Sequence, residues 1–213
     1  EFIIQELTEN IPNLSEEVNS EYYGRFNKWA GYTLLAKMYL NSEVFSDGAH
    51  KDYDKCIEAC NKVLECGKYS METVRKNVFI THNENSKEII FALPFDETYV
   101  TDWNAFDFHM YSLQPENQAT YNFKATPWGR VCVLPQYIES FDPDDQRLKD
   151  DFISGPQYDK NGGVLYCTMG NMKGKPLDYV NKVNSIDDSD ENQGWRWGKF
   201  EYADGITNRL SND

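Results

Sequence analysis

The sequence predicts a mainly α fold, with helical hairpin repeats at the front and a loop-rich region containing short strands behind. Three observations carry that expectation. Apolar residues recur at three- and four-residue spacing over 2–9, 25–40 and 52–66. After Phe79 the rhythm stops, and short apolar runs alternate with polar and turn-forming residues. Residues 154–176 hold many of the glycines, which suits turns and a hairpin around Gly162-Gly163.

Taken in order, Phe2, Ile3 and Leu7 stand at helical spacing, and Pro12 ends that helix because its nitrogen carries no N–H. Ser20-Glu21-Tyr22-Tyr23 leads into a long helix over 25–40, with Phe26, Trp29, Ala30, Thr33, Ala36 and Leu40 on its apolar face. Leu34 and Met38 widen that face, so the helix needs neighbours on more than one side. Ser46-Asp47-Gly48 reads as a loop, and the next helix, about 52–66, is expected to bury Tyr53, Ile57, Cys60 and Leu64. Two antiparallel helices of this length, with Ala at contact points, resemble one tetratricopeptide unit. Such a unit cannot bury its faces alone, and the helix at the start of the chain can supply one neighbour.

Glu88-Ile89-Ile90-Phe91-Ala92-Leu93 reads as a short strand stopped by Pro94, and 95–130 as loop-rich and aromatic. Pro135–Phe141 reads as a short helix ended by Asp142-Pro143, and 184–194 as a solvated acidic loop. Trp195, Trp197 and Phe200 then suggest a short extended segment. The expected organisation is a tetratricopeptide-like helical region over 1–80 and a loop-rich ligand-binding region over 81–213, forming one structural unit.

Composition removes several functions. The net charge is −14, from 35 acidic and 21 basic residues, so the chain repels phosphate backbones and nucleic acid is not an expected partner. The mean hydropathy is −0.70, a polar surface, yet 15% of residues are aromatic. That surplus of rings belongs in a core, on a binding surface, or both. No apolar run is long enough to span a bilayer, and Glu1–Leu7 is not a signal peptide. The five cysteines form no CxxC motif, stand at no zinc spacing from His, and read as small core hydrophobes.

Catalytic signatures are missing: there is no P-loop, GxGxxG, GxSxG or HExxH, and His50, His82 and His109 are scattered. Asp102 and Asp107 flank an aromatic segment as a glycosidase acid and nucleophile would, but acidic residues are common here and solvated loop carboxylates explain them. Asp188, Asp190 and Asn192 begin like a calcium-binding loop. The pattern then fails, with Gln193 at the glycine position and Lys199 at the position of the closing Glu. No metal or cofactor is expected.

The strongest chemical signal is aromatic. Tyr99, Trp103, Phe106, Phe108 and Tyr111 are interleaved with Asp102, Asn104, Asp107 and His109, and Tyr121 and Trp128 follow. A flat ring covers the C–H face of a sugar while nearby carboxylates and amides take its hydroxyls. Core filling is the competing use for each ring, so two or three are expected to be exposed.

An ordered set of motifs carries a family resemblance: Gly24-Arg25 with the long helix to Leu40, Tyr53-Asp54-Lys55-Cys56 to Gly67-Lys68-Tyr69, Asn85-Ser86-Lys87-Glu88-Ile89-Ile90-Phe91, Trp128-Gly129 with Pro135, and Phe141-Asp142-Pro143 to Arg147. Trp29-Ala30-Gly31 departs modestly, standing where an Ala pair is usual. The chain resembles the middle of a SusD/RagB protein. The resemblance implies an outer-membrane, surface-facing lipoprotein whose lipid anchor lies outside this chain. Such a protein binds oligosaccharide or polysaccharide and hands it to a SusC-like TonB-dependent transporter in nutrient uptake, without catalysis. It implies Trp103, Tyr99 and Tyr111 as ligand rings, with Asp102 and Asn104 as their polar partners, and a structural role for Trp128. A tetratricopeptide scaffold for a peptide or protein partner is the alternative, followed by a glycoside hydrolase.

Overall fold

The computed structural model describes residues 1–94 and 108–202. The chain divides into two compact units: one of residues 1–78 with 83–94, and one of residues 79–82 with the described residues from 108 onward.

The first unit is helical. Helix α1 (Phe2–Asn10) passes into a 3-10 turn, Ile11–Asn13, at Pro12. Helices α2 (Lys28–Leu40), α3 (Ser42–Phe45) and α4 (Tyr53–Leu64) follow, with α2 packed on both α1 and α4. Helix α2 begins three residues later than its apolar rhythm suggests, because Asn27 caps it. The Asn27 side-chain oxygen accepts from Trp29 N at 3.1 Å and Ala30 N at 2.9 Å, satisfying two otherwise orphan donors. Its amide donates to Glu17 O and Tyr69 Oη, tying the cap to two loops.

The buried residues of α2 are Ala30, Gly31, Leu35 and Ala36. Gly31 lets α1 approach: a Cβ there would lie 2.8 Å from Cγ1 of the buried Ile11. Helix α4 corrects the sequence reading. Ala59 and Val63 are buried, whereas Tyr53, Ile57 (58% exposed), Cys60 and Leu64 (77% exposed) face outward. The larger side chains mark the outer face because the residues buried on α4 are small ones.

The run from Glu88 to Leu93 is also not a strand, for no described segment offers it a ladder. Side chains fasten it instead. Ser86 Oγ donates to Glu72 Oε1 at 2.8 Å, Glu72 N donates to Glu88 Oε2 at 2.9 Å, and the Phe91 ring stands edge-on to Phe26 at 5.8 Å.

The second unit mixes short helices with a small-sheet core. Helices α5 (Phe108–Ser112) and α6 (Gln118–Tyr121) lie in a stretch read from sequence as loop, and α7 (Pro135–Glu139) precedes α8 (Arg147–Asp150). Strand β1 (Phe152–Ile153) pairs antiparallel with β4 (Arg196–Trp197), and β2 (Gly155–Pro156) with β3 (Asp178–Tyr179). Three segments close a ring of backbone bonds: Gln157 N donates to Leu177 O (2.9 Å), Leu177 N to Leu165 O (2.8 Å), and Leu165 N to Gln157 O (3.0 Å). Cys167, Leu177 and Tyr179 form the buried cluster beside this ring, with Ile153, Leu165 and Met172 against it.

The expected hairpin forms at Gly162-Gly163. Asp159 Oδ1 accepts from Asn161 N and Gly163 N, and Tyr158 bridges Val164. The acidic segment is less solvated than expected, since Asn192, Gln193 and Gly194 are buried. Of the five cysteines, all free, Cys167 alone is buried, so core filling explains one rather than five. No helix among the described residues is long and apolar enough to cross a membrane.

Candidate ligand-binding site

Of the expected ligand residues, Tyr111 is described; Tyr99, Asp102, Trp103 and Asn104 lie outside the described residues, as does Asp107. Tyr111 sits in the last turn of α5, and the chain returns past it. Trp128 N donates to Met110 O (2.6 Å), Arg130 N and Val131 N both donate to Tyr111 O, and Gly129 N donates to Leu113 O (2.9 Å). This passage sets the Trp128 ring edge-on to Tyr111, with centroids 4.6 Å apart and planes at 77°. The Arg130 guanidinium covers both rings, 5.7 Å from Tyr111 and 5.5 Å from Trp128. Tyr111 and Trp128 are both half-buried, which gives an amphipathic aromatic pair with exposed edges.

A polar floor lies next to this pair. Gln114 N donates to Tyr179 Oη at 3.2 Å, the Tyr179 hydroxyl donates to Asn117 Oδ1, and Asn117 Nδ2 donates to Gln157 Oε1 at 3.2 Å. Burial pushes the Tyr179 phenol well above its ordinary range, so it stays neutral and keeps donating. Arg196 is buried against the Tyr179 ring and donates to the backbone oxygens of Glu191, Gln193 and Gly194. Asp190, one of the calcium-loop look-alikes, accepts from Asn192 N and Gln193 Nε2, and Asn192 Oδ1 accepts from Asp178 N.

The first unit holds a larger groove of about 630 Å³ lined by Met38, Tyr39, Phe45 and Lys55. Several of its polar groups are engaged internally. Lys55 bonds Asp52 at 2.8 Å and lies over Tyr39, and Ser42 Oγ accepts from Asp52 N. Among the described residues no group of three or more His, Cys, Asp and Glu side chains could hold a metal ion.

No family model matches this chain, and no curated protein matches it. Solved structures do. A SusD superfamily protein from Parabacteroides distasonis matches 94% of this chain at TM-score 0.63 and 19% identity. A SusD-like protein from Bacteroides fragilis matches 96% at TM-score 0.65 and 18% identity. The chain has the SusD-like fold. A SusD-like carbohydrate-binding protein from Bacteroides fragilis shares it over 91% of the chain, at TM-score 0.56 and 14% identity. The chain spans about two-fifths of the length of these structures, covering 38% and 42% of the first two. Mainly helical architecture with a few short strands is therefore what the sequence motifs and the SusD-like neighbours have in common.

The motif around Trp128 suggested a structural ring, and the ring does pack on Tyr111; sequence reasoning did not show that it also borders open space. The signal available in the sequence was Gly129, which lets the Trp128 turn pass close to Gln114.

Proposed function

We propose that this protein binds glycans at the cell surface and passes them to a SusC-like TonB-dependent transporter in the outer membrane. The observation that carries this reading is the SusD-like fold, shared with a carbohydrate-binding protein. The half-buried Tyr111–Trp128 pair adds local support, because ring edges and faces beside amides and carboxylates suit a sugar's alternating C–H and O–H surface. On this reading Tyr99, Trp103 and Tyr111 supply rings, Asp102 and Asn104 take hydroxyls, and a lipid anchor outside this chain holds the protein at the membrane. The outward apolar face of α4, with Tyr53, Ile57 and Leu64, is the surface we assign to protein contact.

The role is capture rather than cleavage. Binding needs surface complementarity alone, whereas hydrolysis needs a placed acid and a placed base or nucleophile. The test is gel retardation on neutral polysaccharides, comparing the parent with Trp103→Ala and Tyr111→Ala, and following polymer length throughout. Retardation weakened by the substitutions, with polymer length unchanged, supports the proposal. Progressive shortening that stops in Asp102→Asn would replace it with hydrolysis. Co-purification with a TonB-dependent transporter from outer membranes tests the delivery step separately.

A further inference from the structure

A recess of about 320 Å³ opens in the second unit, within the size range of small-ligand sites. Gln114, Trp128, Asn171, Ser189, Asp190 and Glu191 line it. Its distinguishing property is the number of polar groups there that the protein leaves unused. Gln114 is only 7% exposed, yet its side-chain amide makes no hydrogen bond to any described residue, while its backbone N–H is taken by Tyr179. The residue is largely enclosed but its amide lies on the lining of the recess, open to a ligand. The Asn171 amide, the Ser189 hydroxyl and the Trp128 indole N–H are equally uncommitted among the described residues. Glu191 keeps one carboxylate oxygen buried with no partner.

Two glycines make the arrangement possible. Gly129 and Gly170 both have positive φ, and a Cβ at either would collide with the side chain opposite: Gln114 for the first, Glu191 for the second. The charges at the recess are mainly acidic. Asp190 and Glu191 face it, and no Lys, Arg or His stands among its described lining residues, although the Arg130 guanidinium lies over the Trp128 ring at 5.5 Å. The two carboxylates disfavour an anionic ligand, whereas hydroxyl or ammonium donors would find carboxylate and amide acceptors.

We propose that this recess is a subsite for one hexopyranose unit, stacked against Trp128, hydrogen-bonded by Gln114, Asn171 and Ser189, and selective for neutral or amine-bearing sugars over uronic acids. The assignment rests on the glycan-binding reading for its ligand class, and its described lining residues share none of the 99–111 positions. Glu191 sets the selectivity by charge; the amides and the hydroxyl set the affinity.

The test uses the full chain and three monosaccharide probes: glucose, glucosamine and glucuronate. The Trp128 indole N–H resonance is identified by its loss in Trp128→Phe. Glucosamine and glucose should shift this resonance and glucuronate should not. Asn171→Ala and Ser189→Ala, at exposed positions, should each weaken binding by about fivefold, the size of one lost hydrogen bond. Glu191→Gln should remove the preference for glucosamine over glucose. An indole resonance that no sugar shifts, an equal response to glucuronate, or unchanged binding in both alanine variants would overturn the subsite. If polysaccharide still retards the parent in that case, the glycan-binding reading survives. If the indole responds as expected but no polysaccharide retards the parent, the subsite stands and surface glycan capture falls.

Discussion

The Arg196 guanidinium lies 4.4 Å from the centre of the Tyr179 ring, and both residues are almost completely buried. The pair joins β4 to β3 across the second unit. One partner fixes backbone oxygens at 191, 193 and 194, and the other fixes Gln114 N and Asn117. Residues on both walls of the recess are thus hydrogen-bonded to members of one cation–ring pair.

Tyr179→Phe keeps the ring and removes the hydroxyl. Gln114 N–H and Asn117 Oδ1 then lose their partner in a buried place. The expected cost is about 1–3 kcal/mol of stability, the usual penalty for an unsatisfied buried polar group. Chemical denaturation measures it, and sugar affinity should fall with it because Gln114 is no longer held.

The phase of α4 can be tested by a pair of truncations. Val63→Ala should destabilise by about 1–3 kcal/mol, because it opens a cavity at a buried position. Ile57→Ala, which removes more apolar volume from an exposed position, should stay within about 0.5 kcal/mol. The reverse order would restore the stripe of Tyr53, Ile57, Cys60 and Leu64 as the buried one.

At the α1–α2 crossing, Gly31→Ala should destabilise even though alanine is the better helix former. The added methyl meets Ile11 at 2.8 Å, and overpacking of that kind costs about 1–3 kcal/mol. Asn27→Ala should cost about 1 kcal/mol through loss of the cap. Thermal melts of the two variants, followed by helical circular dichroism, report both.

Alkaline pH should destabilise the second unit. Burial pushes the Tyr121 phenol up to about 12 and raises Tyr179 and Tyr202 in the same direction. The unfolded chain ionises these phenols near pH 10. Below that pH neither state gains; above it the unfolded state sheds protons that the folded state retains. The contribution of these phenols to stability is therefore constant up to about pH 10 and falls as pH rises through about 12. Tyrosinate absorbance should show one class ionising freely and a second ionising only as tertiary signal disappears.

The helical half was legible from period alone, since apolar spacing located α1, α2 and α4. Period could not choose the buried face of α4, where small Ala59 and Val63 do the packing and larger residues face out. The start of α2 depended on a side-chain cap at Asn27, which spacing over Phe26 and Trp29 cannot reveal. In the second half, Gly162-Gly163 and the alternating tryptophans announced a hairpin and an extended segment. Helices α5 and α6, only five and four residues long, were too short to show a period. The recess was hidden for a further reason: Gln114, Trp128, Asn171 and Glu191 come from separate segments, and tertiary structure alone brings them together.

Equilibrium binding to a panel of neutral and acidic polysaccharides, read by retardation in affinity gels, tests the central claim most directly. The account predicts saturable retardation by at least one neutral or amine-bearing polysaccharide, weakened in both Trp103→Ala and Trp128→Ala, with little by polyuronates. Absence of retardation across the panel, by protein shown to be folded from its circular dichroism, would contradict it.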